Sequence, residues 1–167
     1  IKCGLAVHVE SHAGENSFIS DNQYKESGAI IVESSEELLK VVDIALSVMA
    51  PSLHQISLLK PGSIVISLCQ TTRELDFVKA INNASLTGFS MHLIPRTTLA
   101  QKMDILSSQA NIAGYKAVLI GSDHIEKYMP LLMTAAGTIS PAKTLVIGAG
   151  VAGLQAIATA KRLGAQV

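Results

Sequence analysis

The sequence has few charged residues and few cysteines. Of its 167 residues 16% are charged, and 13 basic and 13 acidic side chains give a formal net charge of zero. Nucleic-acid binding depends on clustered basic side chains, so this neutral chain without a basic cluster argues against a nucleic-acid partner. The two cysteines, Cys3 and Cys69, are far apart and form no Cys-x-x-Cys pair. We expect both to be reduced core residues rather than a disulfide or a metal pair.

Signals for secretion, membrane insertion and metal binding are also missing from the sequence. No signal peptide is visible. The uncharged stretch 144–160 contains three glycines and is shorter than the roughly 20 apolar residues that a membrane-spanning helix needs. The five histidines show no ligand spacing, so the sequence predicts no metal site. With 49% hydrophobic residues, the composition is typical of a compact α/β protein.

Short apolar runs alternate with signals for helix starts. Runs such as 44–48 and 63–68 predict buried strands. Ser20, Ser34 and Thr71 each precede a Gln or Glu by three residues, which is typical of a helix N-terminus. Strands that alternate with helices at this spacing predict a parallel sheet with helices on both faces.

A glycine-rich turn after Lys143 is the most informative stretch of the chain. Its sequence, KTLVIGAGVAG, reads as a strand at 144–147, a Gly-x-Gly-x-x-Gly turn and the start of a helix. In a dinucleotide-binding turn Gly148 would permit the tight turn, Gly150 would let the backbone approach a pyrophosphate, and Gly153 would let helix and strand pack closely. The alternative is a tight turn without a ligand. The predicted pyrophosphate-binding residues are Gly148, Ala149, Gly150, Val151 and Gly153.

These patterns divide the chain into three segments. Residues 1–95 are predicted to form an N-terminal α/β domain. Residues 96–140 lack strand signals and predict a helical connection, with two helices up to Tyr128 and a break near 111–114. Residues 141–167 open a Rossmann domain. The predicted fold class is therefore α/β, with two Rossmann-like parallel-sheet domains linked by helices and the second domain truncated.

The second predicted domain ends before its cofactor site would be complete. The acidic residue that binds the adenosine ribose lies about 20 residues past such a turn, but the next strand only begins at 165–167. We therefore expect the chain to be a fragment that binds nucleotide weakly or not at all by itself. Its start at Ile1 rather than Met supports the same expectation. The residues themselves leave NAD and NADP open.

A group of polar residues lies in the otherwise apolar segment 95–115. Gln101, Asp104 and Ser107 are three residues apart and would share one face of a helix, and Arg96 precedes them. One interpretation is a capped helix start with a solvated face. The other is a grip for a nicotinamide, because its carboxamide and ribose need donors and acceptors that Gln, Asp and Arg supply.

This segment resembles the Arg–Gln–Asp loop of domain I of proton-translocating NAD(P) transhydrogenase, a member of the alanine dehydrogenase/transhydrogenase family. Arg96, Gln101 and Asp104 match that loop in its spacing. The resemblance is dense from Pro95 to Val167, where it includes ILSSQANIAGYKAV and MTAAGTISPAK, and it is looser but colinear over 1–94.

The resemblance implies that the chain is the NAD(H)-binding component of an enzyme that moves hydride between NADH and NADP⁺. It implies catalytic roles for Arg96, Gln101 and Asp104 at the nicotinamide, and a cofactor-binding role for Ser107. Such chemistry needs no protein acid or base, because the protein's part is to position the two nicotinamides and exclude water.

The resemblance also implies partners. NADP(H) would bind to a separate domain, a membrane domain would translocate protons, and the chain would form a homodimer. It would lie on the cytoplasmic face of a bacterial inner membrane or on the matrix side in a mitochondrion.

Two other functions fit some of the pattern. Alanine dehydrogenase shares the fold and the glycine turn, but its Lys-Val-Lys-x-Pro run corresponds here to residues 47–51, Ser-Val-Met-Ala-Pro. The segment 67–70 also lacks that family's acid–base histidine. A non-catalytic module that senses NADH would need only the glycine turn.

Overall fold

Short parallel strands alternate with helices through the first half of the chain. The computed structural model describes residues 3–167, which group into one unit that ends at Ile94 and a second that runs from Pro95 to Val167. The elements of the first unit are β1 (His8–Glu10), α1 (Asp21–Glu26), β2 (Ile30–Val32), α2 (Ser35–Val41), β3 (Ile44–Met49), α3 (Leu53–Ser57), β4 (Ile64–Leu68), α4 (Leu75–Asn83) and β5 (Thr87–Ser90).

All strand pairs of the first unit are parallel. Strand β1 pairs with β2, and β4 lies between β3 and β5. Ile64 of β4 is opposite Ile44 on one side and Thr87 on the other. Because parallel neighbours need a crossover connection, the helices between the strands follow from this pairing. The predicted α/β class with parallel sheets is confirmed.

Two of the three predicted helix starts are confirmed by capping hydrogen bonds. The hydroxyl oxygen of Ser20 accepts from the backbone N–H of Gln23, and the Gln23 side chain accepts from the Ser20 N–H at 2.8 Å. The hydroxyl oxygen of Ser34 accepts from the N–H of Glu36 at 3.2 Å. Each bond satisfies a donor that has no partner within its helix.

The third predicted helix start, at Thr71, is wrong. Helix α4 begins at Leu75, and Glu74 is its N-terminal cap residue. The Glu74 carboxylate turns back and accepts from the N–H of Gln70 at 3.0 Å. Glu74 therefore closes a turn over 70–74 and is not the third residue of a helix that begins after Thr71.

The core of the first unit is built around the β3–β4–β5 sheet. Its buried residues are Leu39, Ala45, Ile56, Leu59, Val65, Cys69, Phe77, Ile81 and Leu86. Cys69 is thus a core residue as predicted, but Cys3 is exposed, contrary to the prediction. On β3, Leu46 and Val48 are 75% and 74% exposed. The prediction of helices on both faces of the sheet is therefore not met at β3 within residues 3–167.

The second unit begins with a short 3-10 helix and a long α-helix. Its elements are the 3-10 helix Thr98–Met103, α5 (Ile105–His124), β6 (Leu132–Thr134), β7 (Gly137–Ile139) and α6 (Val151–Arg162). The predicted break near 111–114 is wrong, because α5 runs through it. The predicted helical connection 96–140 also contains the antiparallel β6–β7 hairpin. None of the helices among the described residues is both long and apolar enough to span a lipid bilayer.

The segment before the glycine turn pairs with the end of the described chain. Lys143 forms a parallel bridge with Gln166, and the N–H of Thr144 donates to the Gln166 carbonyl at 2.8 Å. The predicted strand at 144–147 is therefore only a single bridge at Lys143. A strand needs a ladder of such bonds, and Leu145 and Ile147 are 85% and 92% exposed.

Candidate functional site

A cleft of about 340 Å³ lies in the second unit, where the first turns of α5 and α6 meet the glycine turn. Six residues singled out from the sequence line it: Arg96, Ser107, Gly148, Gly150, Val151 and Gly153. Residues that the sequence reasoning missed complete its walls: Leu106, Ala110, Ile147 and Ala152. Two segments about 40 residues apart in sequence therefore contribute to one cavity.

The three glycines of the turn meet different steric demands. Gly148 has a φ of +101°, a left-handed conformation that residues with a side chain rarely adopt. A Cβ on Gly153 would overlap the carbonyl oxygen of Gly148, so the helix start and the turn touch through their backbones. A Cβ on Gly150 would meet no other described atom within 4 Å. Gly148 and Gly153 are thus required by the fold, and Gly150 leaves space in the cleft.

The start of α6 presents backbone donors at the cleft. Gly150 is the N-terminal cap residue, and the N–H of Leu154 donates to its carbonyl at 2.8 Å. The N–H groups of Val151, Ala152 and Gly153 come before that first intrahelical bond, and Gly150 has no side chain with which to cap them. Free N–H groups and the positive end of the helix dipole favour an anion at this position.

The start of α5 is capped by Asp104. One carboxylate oxygen of Asp104 accepts from the N–H of Ser107 at 3.0 Å, and the other accepts from the Ser107 hydroxyl at 2.6 Å. The hydroxyl bond is the main reason that the pKa of Asp104 lies below its usual value. The backbone N–H of Ser107 and the nearby charge of Arg96 lower that pKa further, against a small opposing effect of burial. Asp104 is therefore a carboxylate at neutral pH.

Gln101 and Asp104 do not line the cleft, although the sequence grouped them with Ser107. Gln101 is exposed on the 3-10 helix Thr98–Met103, and Asp104 has the non-helical dihedral angles of a cap residue. The prediction that these residues share one helix face is wrong, because α5 begins only after Asp104. Of the glycine-turn residues, Ala149 is exposed and lies outside the lining set.

Two family models match consecutive segments of this chain. Residues 1–113 match "Alanine dehydrogenase/PNT, N-terminal domain", and residues 117–167 match "Alanine dehydrogenase/PNT, C-terminal domain". The first match alone covers more than half of the chain. The segment with Arg96, Gln101 and Asp104 falls in the first match, and the glycine turn falls in the second.

Individual relatives give the same result. A Rickettsia prowazekii protein, named as the first portion of a divided NAD(P) transhydrogenase subunit alpha, is 45% identical over 100% of this chain and 45% of its own length. The crystal structure of transhydrogenase from Sinorhizobium meliloti superposes with a TM-score of 0.92 at 46% identity, covering 98% of this chain and 49% of that one. An L-alanine dehydrogenase structure, at 22% identity and a TM-score of 0.84, shares the fold over 99% of this chain and 46% of its own. The chain thus spans about half the length of these relatives.

Proposed function

Because this chain belongs to the alanine dehydrogenase/PNT family, we propose that it is the NAD(H)-binding component of an NAD(P) transhydrogenase. In this proposal the whole enzyme moves hydride between NADH and NADP⁺ and couples the reaction to proton translocation. The higher sequence similarity to the transhydrogenase relatives than to the alanine dehydrogenase structure supports this choice.

The cleft between the two helix starts is the observation that carries the proposal. It combines the Arg96 side chain with the first turns of α5 and α6, so a cation and two positive dipole ends meet there. A pyrophosphate is an anion that such a site would bind. We assign its binding to the glycine-turn residues Gly148, Ala149, Gly150, Val151 and Gly153.

Ser107 gives the nicotinamide end a directional contact. Its hydroxyl hydrogen is donated to Asp104, so its oxygen is left to accept a hydrogen bond from a ligand. The N–H₂ of a carboxamide is such a donor. We propose that Asp104 holds Ser107 in this role, and that Arg96 and Gln101 orient the same end. A bound nicotinamide supplies the hydride chemistry, and these residues supply its orientation.

The partners in this proposal are the other components of the same enzyme. NADP(H) binds to a separate domain, a membrane domain carries the proton pathway, and a second copy of this chain completes a homodimer. The name of the Rickettsia relative, which makes it one portion of a divided subunit, supports an enzyme made of several components. We place the chain on the cytoplasmic face of a bacterial inner membrane, or on the matrix side in a mitochondrion.

The proposal is tested by following the oxidation of NADH by an NADP⁺ analogue, catalysed by the whole protein with and without the NADP-binding domain. We expect transfer only when that domain is present, because the acceptor binds there. A parallel assay supplies pyruvate and ammonium instead. NADH oxidation in that assay alone would show an alanine dehydrogenase. Tight NADH binding without activity in either assay would show a binding module.

A further inference from the structure

We infer that Gly114 and the Asn111–Gln155 pair are positioning residues for the cleft, because they set how closely α5 approaches α6. Through that approach they hold the first turns of both helices on one ligand. The inference rests on the proposed function for the identity of the ligand, a dinucleotide, and it concerns residues outside the cleft lining.

Gly114 brings the two helix backbones into direct contact. It lies in the middle of α5 and is buried. A Cβ at this position would overlap the carbonyl oxygen of Ala152, with the Ala152 carbonyl carbon 2.9 Å away. The obstacle is backbone and cannot move aside as a flexible side chain would. Any larger residue at position 114 must therefore push the helices apart.

The residue that Gly114 touches belongs to the cleft. Ala152 lines the cavity and lies in the first turn of α6, between Val151 and Gly153. A displacement of Ala152 would move the free N–H groups of that turn relative to Ser107 on α5. The contact at Gly114 is thus linked to the cleft through a single residue.

One turn away, a chain of polar side chains fixes the same pair of helices. The Asn111 amide donates to the Gln155 side-chain oxygen at 3.2 Å, and the Gln155 amide donates to the Thr159 hydroxyl at 3.2 Å. Thr159 is 4% exposed and also donates to the Gln155 backbone carbonyl at 2.8 Å. The buried threonine anchors the glutamine, and the glutamine holds Asn111.

Both contacts use matching faces of the two helices. Asn111 and Gly114 are three residues apart on α5, as are Ala152 and Gln155 on α6, so each pair lies on one helix face. The glycine contact limits how close the helices come, and the hydrogen bond opposes their separation. Together they determine the spacing between the two anion-binding helix starts.

The test compares Gly114→Ala with Gly121→Ala in the whole protein, with NADH and inorganic pyrophosphate as probes. We expect Gly114→Ala to weaken binding of both probes by about 10- to 100-fold, since a shift of about 1 Å has effects of that size. Gly121 lies in the same helix, and a Cβ there meets no other described atom within 4 Å. Gly121→Ala should leave binding unchanged.

A double-mutant comparison separates positioning from general destabilisation. If Gly114 holds Ser107 and α6 on one ligand, Ser107→Ala should cost less NADH affinity in the Gly114→Ala background than in the wild type. Additive losses would overturn the inference, as would unchanged binding by a folded Gly114→Ala protein. Thermal melting reports whether that variant is folded.

If Gly114→Ala does not fold, Asn111→Ala and Gln155→Ala decide the question. Each should weaken NADH binding by up to about tenfold, the scale of one hydrogen bond, and the double variant should lose no more than either single one. Wild-type binding in both single variants would overturn the inference. A wild-type protein that binds pyrophosphate but not NADH would refute the proposed function and leave the inference to the pyrophosphate series. A wild type that binds neither probe would refute both.

Discussion

Asp104 shows how one side chain can serve the fold and the site together. Its two carboxylate oxygens are both occupied by Ser107, one by the backbone N–H and one by the hydroxyl. The first bond caps α5, and the second fixes the direction of a hydroxyl that lines the cleft. A residue that the sequence groups with catalytic neighbours therefore acts on the cleft through Ser107.

This arrangement makes the stability of the protein depend on pH at Asp104. The pKa of Asp104 is lowered in the folded state, so the unfolded state binds more protons between the folded and unfolded pKa values, and stability rises with pH there. The stabilisation is complete above the ordinary aspartate pKa of about 3.9 and is lost as the pH falls through the lower, folded value.

We therefore expect Asp104→Asn to be less stable than the wild type at pH 7 and equally stable at the acid end of the range. Asparagine can still cap a helix, so the variant isolates the effect of the charge. Urea unfolding of both proteins at a series of pH values measures the difference. A difference that stays constant with pH would contradict the assignment.

Gln101 carries a separate prediction, because it is exposed and does not line the cleft. If it orients the nicotinamide as proposed, Gln101→Asn should slow hydride transfer far more than it weakens NADH binding, since a shorter amide still binds but is misplaced. Single-turnover rates and equilibrium titrations separate the two effects. Gln109→Asn, an exposed position on α5, is the matched control. Unchanged transfer in Gln101→Asn would remove Gln101 from the proposed site.

At the scale of elements, the glycine turn separates a requirement of the fold from a requirement of the ligand. Gly153 is held against the Gly148 carbonyl, whereas the space beside Gly150 is open. The two positions lie three residues apart on one turn, so the same substitution at each tests the two requirements separately.

We expect Gly150→Ala to keep the stability of the wild type and to bind NADH more weakly, because its methyl group would occupy space in the cleft. Gly153→Ala should lower the stability itself, by roughly 1–3 kcal/mol as for an overpacked contact. Thermal melting and NADH titration of both variants give the comparison. Equal loss of stability in the two variants would show that the open space at Gly150 is also needed by the fold.

At the scale of the whole molecule, the cleft belongs entirely to the second unit, which runs from Pro95 to Val167. The proposed activity does not. Hydride transfer needs an acceptor on another domain, so the partner-dependent assay described above is a test of the assembly, whereas binding of pyrophosphate is a test of the second unit. The domain boundaries 1–95, 96–140 and 141–167 remain predictions.

The sequence by itself determined the features that depend on near neighbours. Apolar runs between helix signals indicated parallel α/β structure, Ser20 and Ser34 marked helix starts, and the spacing of the glycines placed a tight turn before a helix. Each of these is a matter of dihedral angles and hydrogen bonds within a few residues. That is why local patterns sufficed to predict them.

Only the tertiary structure decided which residues meet across the second unit. The intrinsic cost of a glycine within a helix predicts a break near Gly114, but the contact with Ala152 makes glycine necessary there and α5 continues. The bond between Asn111 and Gln155 joins residues 44 apart in sequence. Such contacts depend on how the helices pack, which the residues next to each one in sequence do not reveal. For the same reason Ser107 lines the cleft and Gln101 does not.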